Sequence, residues 1–127
     1  MLTQQTIVVR KDLKMRKGKI ASQVAHASMK VILDQGNWLE DDCLIISVTP
    51  EQKEWINGIF TKIVLGCDSE SDIHSLAERA KRLDIPYAII TDCGKTEFHG
   101  IPTVTCIAIG PYRSILVKDM TSEYKLL

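Results

Sequence analysis

Thr6 to Val31 reads TIVVRKDLKMRKGKIASQVAHASMKV, and the fold turns on this stretch. Its first four residues are apolar or β-branched without alternation, as expected of a strand buried on both faces. From Gly18 the pattern changes. Ile20, Val24, Ala27 and Val31 recur at i, i+4, i+7 and i+11, one core-facing stripe of a helix running to about Asp34. Ala21, Ala25 and Ser28 run beside that stripe, and side chains so small would let the helix lie close to a sheet. A second row of Lys19, Gln23, His26 and Lys30, spaced four, three and four apart, makes a polar stripe.

Working outward, Gly36 and Asn37 end this helix, and Leu44–Val48 suits either an extended segment or part of a helix. Thr49 caps a short helix beginning at Pro50, with Glu51 and Glu54 in its first turn. Ile63–Leu65 reads as a strand. Ser69 or Ser71 caps a helix to about Leu83, with Ile73, Leu76, Ala77 and Ala80 on one face. Tyr87–Thr91 is a buried strand, Asp92–Pro102 a glycine-containing loop, and Val104–Ile109 a strand stopped by Gly110-Pro111. A short helix is expected before the terminal YKLL. Strands separated by helices predict one α/β domain over residues 1–127: three layers, with a largely parallel sheet covered by helices on both faces.

Composition narrows the partners. The chain has 127 residues, and 16 basic and 16 acidic side chains cancel, so an anionic partner must be met by a local patch. That patch is at hand: Lys11, Lys14, Arg16, Lys17 and Lys19 face Asp12 alone in sequence. No apolar run is long enough to span a bilayer, and the amino terminus lacks a signal-peptide layout. Cys43, Cys67, Cys93 and Cys106 form no CxxC pair, which fits reduced thiols in a cytoplasmic protein.

Two segments lie where α/β sheets gather their sites, beyond the carboxyl ends of strands. In the first, Lys14, Arg16, Lys17 and Lys19 surround a helix amino terminus, which already favours anions. Cations there oppose the helix dipole, so a phosphate-bearing ligand would relieve the cluster; a solvated basic loop is the plainer alternative. A nucleotide P-loop is excluded, because GxxxxGK[ST] would need Gly in place of Leu13 and Ser or Thr in place of Ile20. In the second segment, Asp92, Lys95 and Thr96, with Thr105 on the next strand, could orient water and stabilise an oxyanion. His26, a single histidine bordered by alanines, reads as a structural hydrogen-bonding residue before a catalytic base. Cys93 beside Lys95 could be an activated thiol, and Cys93, His99 and Cys106 fit no standard zinc spacing. Trp38 and Trp55 are expected as core or interface anchors.

Taken together, IVVRKDLKMRKGKIASQVAHA resembles the amino-terminal signature VVRxDLxMxKGKxAAQxxHA of the archaeal and eukaryotic-type peptidyl-tRNA hydrolases. TDCGKTE resembles their QDAGxTQ loop, TCIAIGP their TVLGIGP strand and SEYKLL their GHLKLL ending. The matches fall in order along nearly the whole chain. The resemblance implies hydrolysis of the ester joining a peptide to the 3′ end of tRNA, without metal or cofactor. It also implies a homodimer around a four-stranded mixed sheet, and a tRNA acceptor end as partner rather than DNA or a membrane. Carried over by motif, Lys19, Asp92, Thr96 and Thr105 would form the catalytic set. Gln23 and His26 match the family's Gln and His, while Lys14, Arg16, Lys17 and Lys95 would meet the substrate. Glu97 in place of Gln, the FHGIPT stretch, Ser122-Glu123 and the extra chain before residue 60 depart from the pattern. They leave room for a paralogue that binds tRNA ends or a protein without cleaving.

Overall fold

The computed structural model describes residues 1–95 and 97–127. Its elements, in chain order, are β1 (Thr3–Arg10), α1 (Lys17–Leu33), β2 (Gly36–Glu40), β3 (Cys43–Ile46), α2 (Pro50–Asn57) and β4 (Lys62–Cys67). There follow α3 (Glu70–Arg82), β5 (Tyr87–Asp92), β6 (Thr103–Arg113), α4 (Ser114–Met120) and the two-residue β7 (Lys125–Leu126).

The main sheet has five strands in the order β5-β6-β1-β4-β7, and β2 and β3 form a separate hairpin. Successive side chains of a strand point to opposite faces, and every central strand here is apolar on both. Ile7 and Val9 of β1, Ala88 and Ile90 of β5, and Cys106 and Ala108 of β6 join Ala27 and Val31 of α1 in one core. Val8, Leu65, Ile107 and Ile109 point the other way, against Ile73, Leu76, Ala77 and Ala80 of α3 and Val117 and Met120 of α4. Helices therefore cover both faces, as the apolar strands require.

The sheet is mixed, but less parallel than the helix-strand alternation suggests. β1 pairs with β4 in parallel, whereas β1–β6, β5–β6 and β4–β7 are antiparallel. The physical reason is the connection: no helix separates β5 from β6, so the chain returns directly and β6 runs against both its neighbours. β1, β4 and β5 still point the same way, because β6 is inserted between β5 and β1. β7 adds a fifth strand to the four expected.

Three further details differ from the sequence reading. Of Leu44–Val48, the first three residues lie in β3, which pairs with β2 rather than continuing a helix, and Ser47 and Val48 fall beyond the strand. α1 ends at Leu33 with Asp34 as its cap, so Gly36 and Asn37 open β2 instead of closing the helix. β6 does not stop at Gly110-Pro111 but continues to Arg113 through a cis peptide bond. Gly110 sits there at φ +87°, where a Cβ would lie 2.7 Å from the Gln4 carbonyl oxygen.

Capping falls where the sequence places it. Thr49 and Gln52 form a reciprocal capping box on α2, and Ser69 rather than Ser71 caps α3 by accepting from the Asp72 backbone N–H. Trp55 is buried and donates to the Thr61 carbonyl at 2.7 Å, whereas Trp38 stands exposed on the hairpin. Glu123 pairs with Arg79. No helix among the described residues is long and apolar enough to cross a membrane.

Candidate active site

β1 and β5 end on the same side of the sheet, and β6 begins there. The turn after β1 feeds straight into α1, so the first turns of α1 stand over the end of β5. That arrangement brings Lys19 and Gln23 against Asp92 across more than sixty residues of sequence.

The resulting contacts form a chain. Lys19 Nζ donates to Asp92 Oδ1 at 2.8 Å, and both side chains are only about a tenth exposed, 10% and 11%. Gln23 Nε2 donates to the same oxygen at 3.2 Å. The backbone N–H of Gly94 holds Oδ2 at 2.8 Å. Behind them, Thr105 Oγ1 donates to Gln23 Oε1 at 2.6 Å, which fixes the amide with its NH2 toward the carboxylate. Cys106 donates its thiol to the Gln23 carbonyl at 3.5 Å.

Gly94 is required by this geometry. It is buried at φ +85°, and a Cβ there would meet the Ile101 backbone at 2.4 Å. The same loop is closed by Gly100 N–H to the Gly94 carbonyl (2.8 Å) and Ile101 N–H to the Phe98 carbonyl (2.9 Å).

These donors set the electrostatics. The Lys19 hydrogen bond holds the Asp92 carboxyl below the usual carboxylate range, aided by the Gly94 N–H, the Lys19 charge and Gln23. Partial burial opposes the shift without reversing it. Asp92 is therefore an ionised acceptor at neutral pH, and its depressed pKa makes it a weak proton abstractor. Two carboxylate oxygens offer about four lone-pair sites, so room remains for a further donor such as water.

The other expected residues are distributed around this centre. Gln23 and Thr105 are buried, so Thr105 reaches the site through Gln23 and not directly. Lys14, Arg16, Lys17 and Lys95 are exposed and form a basic rim. His26 is exposed and lies deeper along α1, on a groove that also receives Ala25, Met29, Ile89 and Cys93. Thr96 lies outside the described residues. The small side chains of α1 divide: Ala27 is buried against the sheet and Ser28 donates to Gln5 Oε1 at 2.6 Å. Ala21 and Ala25 are exposed, so close packing does not explain them.

Two contributors stood out in the sequence only as departures from the family pattern, with no partner indicated. Phe98 places its ring 5.6 Å from Lys19 Nζ, within cation–π range. Glu97 accepts from Arg16 Nε at 3.0 Å, joining the loop after β5 to the start of α1. Both sit in an irregular loop where no periodicity marks a facing side chain. Of the cysteines, Cys67 and Cys106 are buried, with thiols pushed up to about 11 mainly by desolvation. Cys43 and Cys93 are exposed. Cys93, His99 and Cys106 do not converge, and no group of three His, Cys, Asp or Glu side chains suited to a metal occurs among the described residues.

Residues 3–127 match the family described as peptidyl-tRNA hydrolase PTH2. The chain belongs to that family. Curated relatives named peptidyl-tRNA hydrolase agree in extent. One from Haloquadratum walsbyi is 44% identical over 122 residues, covering 96% of this chain and 97% of the relative. One from Saccharolobus solfataricus is 38% identical over 130 residues, covering 99% and 100%. A third, from Saccharolobus islandicus, is 35% identical over the same extent. The β2–β3 hairpin and the Arg16–Glu97 pair are thus features of a peptidyl-tRNA hydrolase family member whose length is that of its relatives.

Proposed function

We propose that the protein hydrolyses the ester bond of peptidyl-tRNA, releasing peptide and free tRNA in the cytoplasm. The observation that carries this reading is the convergence of Lys19, Asp92 and Gln23 at 2.8 and 3.2 Å beside an exposed basic rim. The relatives' shared name supplies the substrate class.

In this reading the acceptor-end phosphates meet Lys14, Arg16, Lys17 and Lys95, contacts that position without reading sequence. Asp92 accepts a hydrogen bond from the attacking water and orients it toward the ester carbonyl. Lys19, held in place by Asp92 and Phe98, stabilises the negative charge that develops on the carbonyl oxygen. Gln23, fixed from below by Thr105, keeps the carboxylate from rotating. Thr96 is kept as a candidate catalytic residue by its motif position alone. His26 takes its place on the groove wall.

Release of peptide from purified peptidyl-tRNA tests the reading. Lys19→Ala and Asp92→Asn are each expected to lower kcat by about 10²-fold or more, as for loss of a preorganised electrostatic group. Full activity in both variants would overturn the assignment of the site. An inactive wild type that still bound tRNA, with steep salt dependence, would instead identify a binding paralogue.

A further inference from the structure

A groove of about 840 Å³ leaves the site and runs between α1 and β5. Gln23 and Asp92 stand at its head; Ala25, Met29 and Leu33 form one wall, and Ile89 to Cys93 the other. Met29 and Leu33 are 61% and 43% exposed along that wall.

β5 is the end strand of the sheet, with no strand beyond it among the described residues. The orientation of its backbone follows from two contacts. The Pro86 carbonyl accepts from Gly110 N–H at 2.7 Å, and the Ile90 carbonyl from Thr105 Oγ1 at 3.5 Å; both therefore face β6. By the alternation of an antiparallel ladder, Tyr87 and Ile89, which precede the register shift between Ile90 and Thr91, direct their N–H and C=O groups away from β6, toward the open side. An unpaired edge of this kind is a template for an extended peptide.

We propose that this groove holds the peptide part of the substrate as an added strand on β5; the proposal rests on the hydrolase reading above. The polarity is fixed by the chemistry. The ester carbonyl is the peptide's carboxyl end and must lie at Lys19 and Asp92. From there the chain recedes along β5 toward Tyr87, so peptide and β5 run parallel. The wall from Ser22 to Leu33 is about 17 Å long at the helical rise, which matches about five extended residues. Main-chain pairing is indifferent to sequence, and Met29 is an adaptable apolar contact for alternate side chains. A site for peptides of arbitrary sequence needs both properties. The exposure of Ala25 gains a reason here: a larger side chain would fill the groove.

The test uses peptidyl-tRNAs carrying one, three or five residues with blocked amino termini, with kcat and KM measured for each. KM is expected to fall at least tenfold from one residue to five, and to level off beyond. Backbone N-methylation of the five-residue substrate should cancel most of that gain. In Ala25→Arg, whose folding is checked by circular dichroism, the five-to-one advantage should shrink below twofold. Equal KM for all lengths in the wild type would overturn the groove assignment while leaving the hydrolase reading intact. So would a length advantage untouched by both N-methylation and Ala25→Arg. An altered sedimentation mass in Ala25→Arg, with the length advantage unchanged, would reassign the groove to contact between copies. No release from any substrate by the wild type would overturn the hydrolase reading and this one together.

Discussion

Two ion pairs join the same two segments, the start of α1 and the loop after β5, and they differ in almost everything else. Lys19–Asp92 is shielded, with both partners near a tenth exposed, and three donors converge on one carboxylate. Arg16–Glu97 is a single contact at 3.0 Å, with the guanidinium 84% exposed. The first is a fixed arrangement shielded from solvent. The second competes with water and salt, so Arg16 can exchange Glu97 for a phosphate at little cost. Across the same two segments the protein thus has one charge pair built for geometry and another built for exchange.

The largest expected effect separates the pairs by acid. Removing the carboxylate in Asp92→Asn leaves a poorly solvated ammonium and should cost about 2–3 kcal/mol at neutral pH. Because the folded-state pKa of Asp92 is depressed, its contribution is complete above the ordinary carboxylate pKa of about 3.9 and is lost as pH falls through the lower folded value. Denaturant midpoints of wild type and Asp92→Asn should therefore differ by a constant amount down to about pH 4 and converge below it. Convergence already at pH 5 to 6 would mean that Asp92 is not held in the depressed state.

A smaller effect probes the support of the buried pair. Thr105→Val keeps the shape but leaves Gln23 Oε1 buried without its 2.6 Å donor. It should cost about 1–2 kcal/mol of stability. The expected kinetic mark is a lower kcat at unchanged KM, with Thr105→Ser restoring it; a stability loss with wild-type kcat would limit Thr105 to a structural role. The smallest effect belongs to the exposed pair. Glu97→Gln should change stability by less than about 1 kcal/mol. By freeing Arg16 it should tighten tRNA binding and steepen the salt dependence by roughly one counterion. Unchanged affinity and slope would show that Arg16 does not reach the phosphates.

The same contrast explains what could be read from the sequence. Lys19, Gln23 and Asp92 were legible because each sits on or directly after a regular element, where period and strand ends dictate direction. The partnership of Arg16 with Glu97, and the place of Phe98, depend on an irregular loop closed by Gly94 at positive φ, and no spacing rule reaches across it. Thr105 was visible as a hydroxyl near the site, yet its burial depends on β6 lying in the middle of the sheet. That topology is hidden in the sequence, because a β5-to-β6 return without a helix leaves the same apolar strand pattern as a parallel neighbour. The exposed Ala21 and Ala25 show the limit of composition: small residues suit close packing and open grooves alike.

The insertion of β6 between β1 and β5 has one more consequence. It holds the ends of the two site-bearing strands two strand spacings apart, about 9.6 Å. Hydrogen-bonded ladders on both sides of β6 make that separation a ruler that loop sequences cannot stretch. The loop after β5 can therefore vary in length and charge while the distance that Lys19 must reach stays calibrated by the sheet.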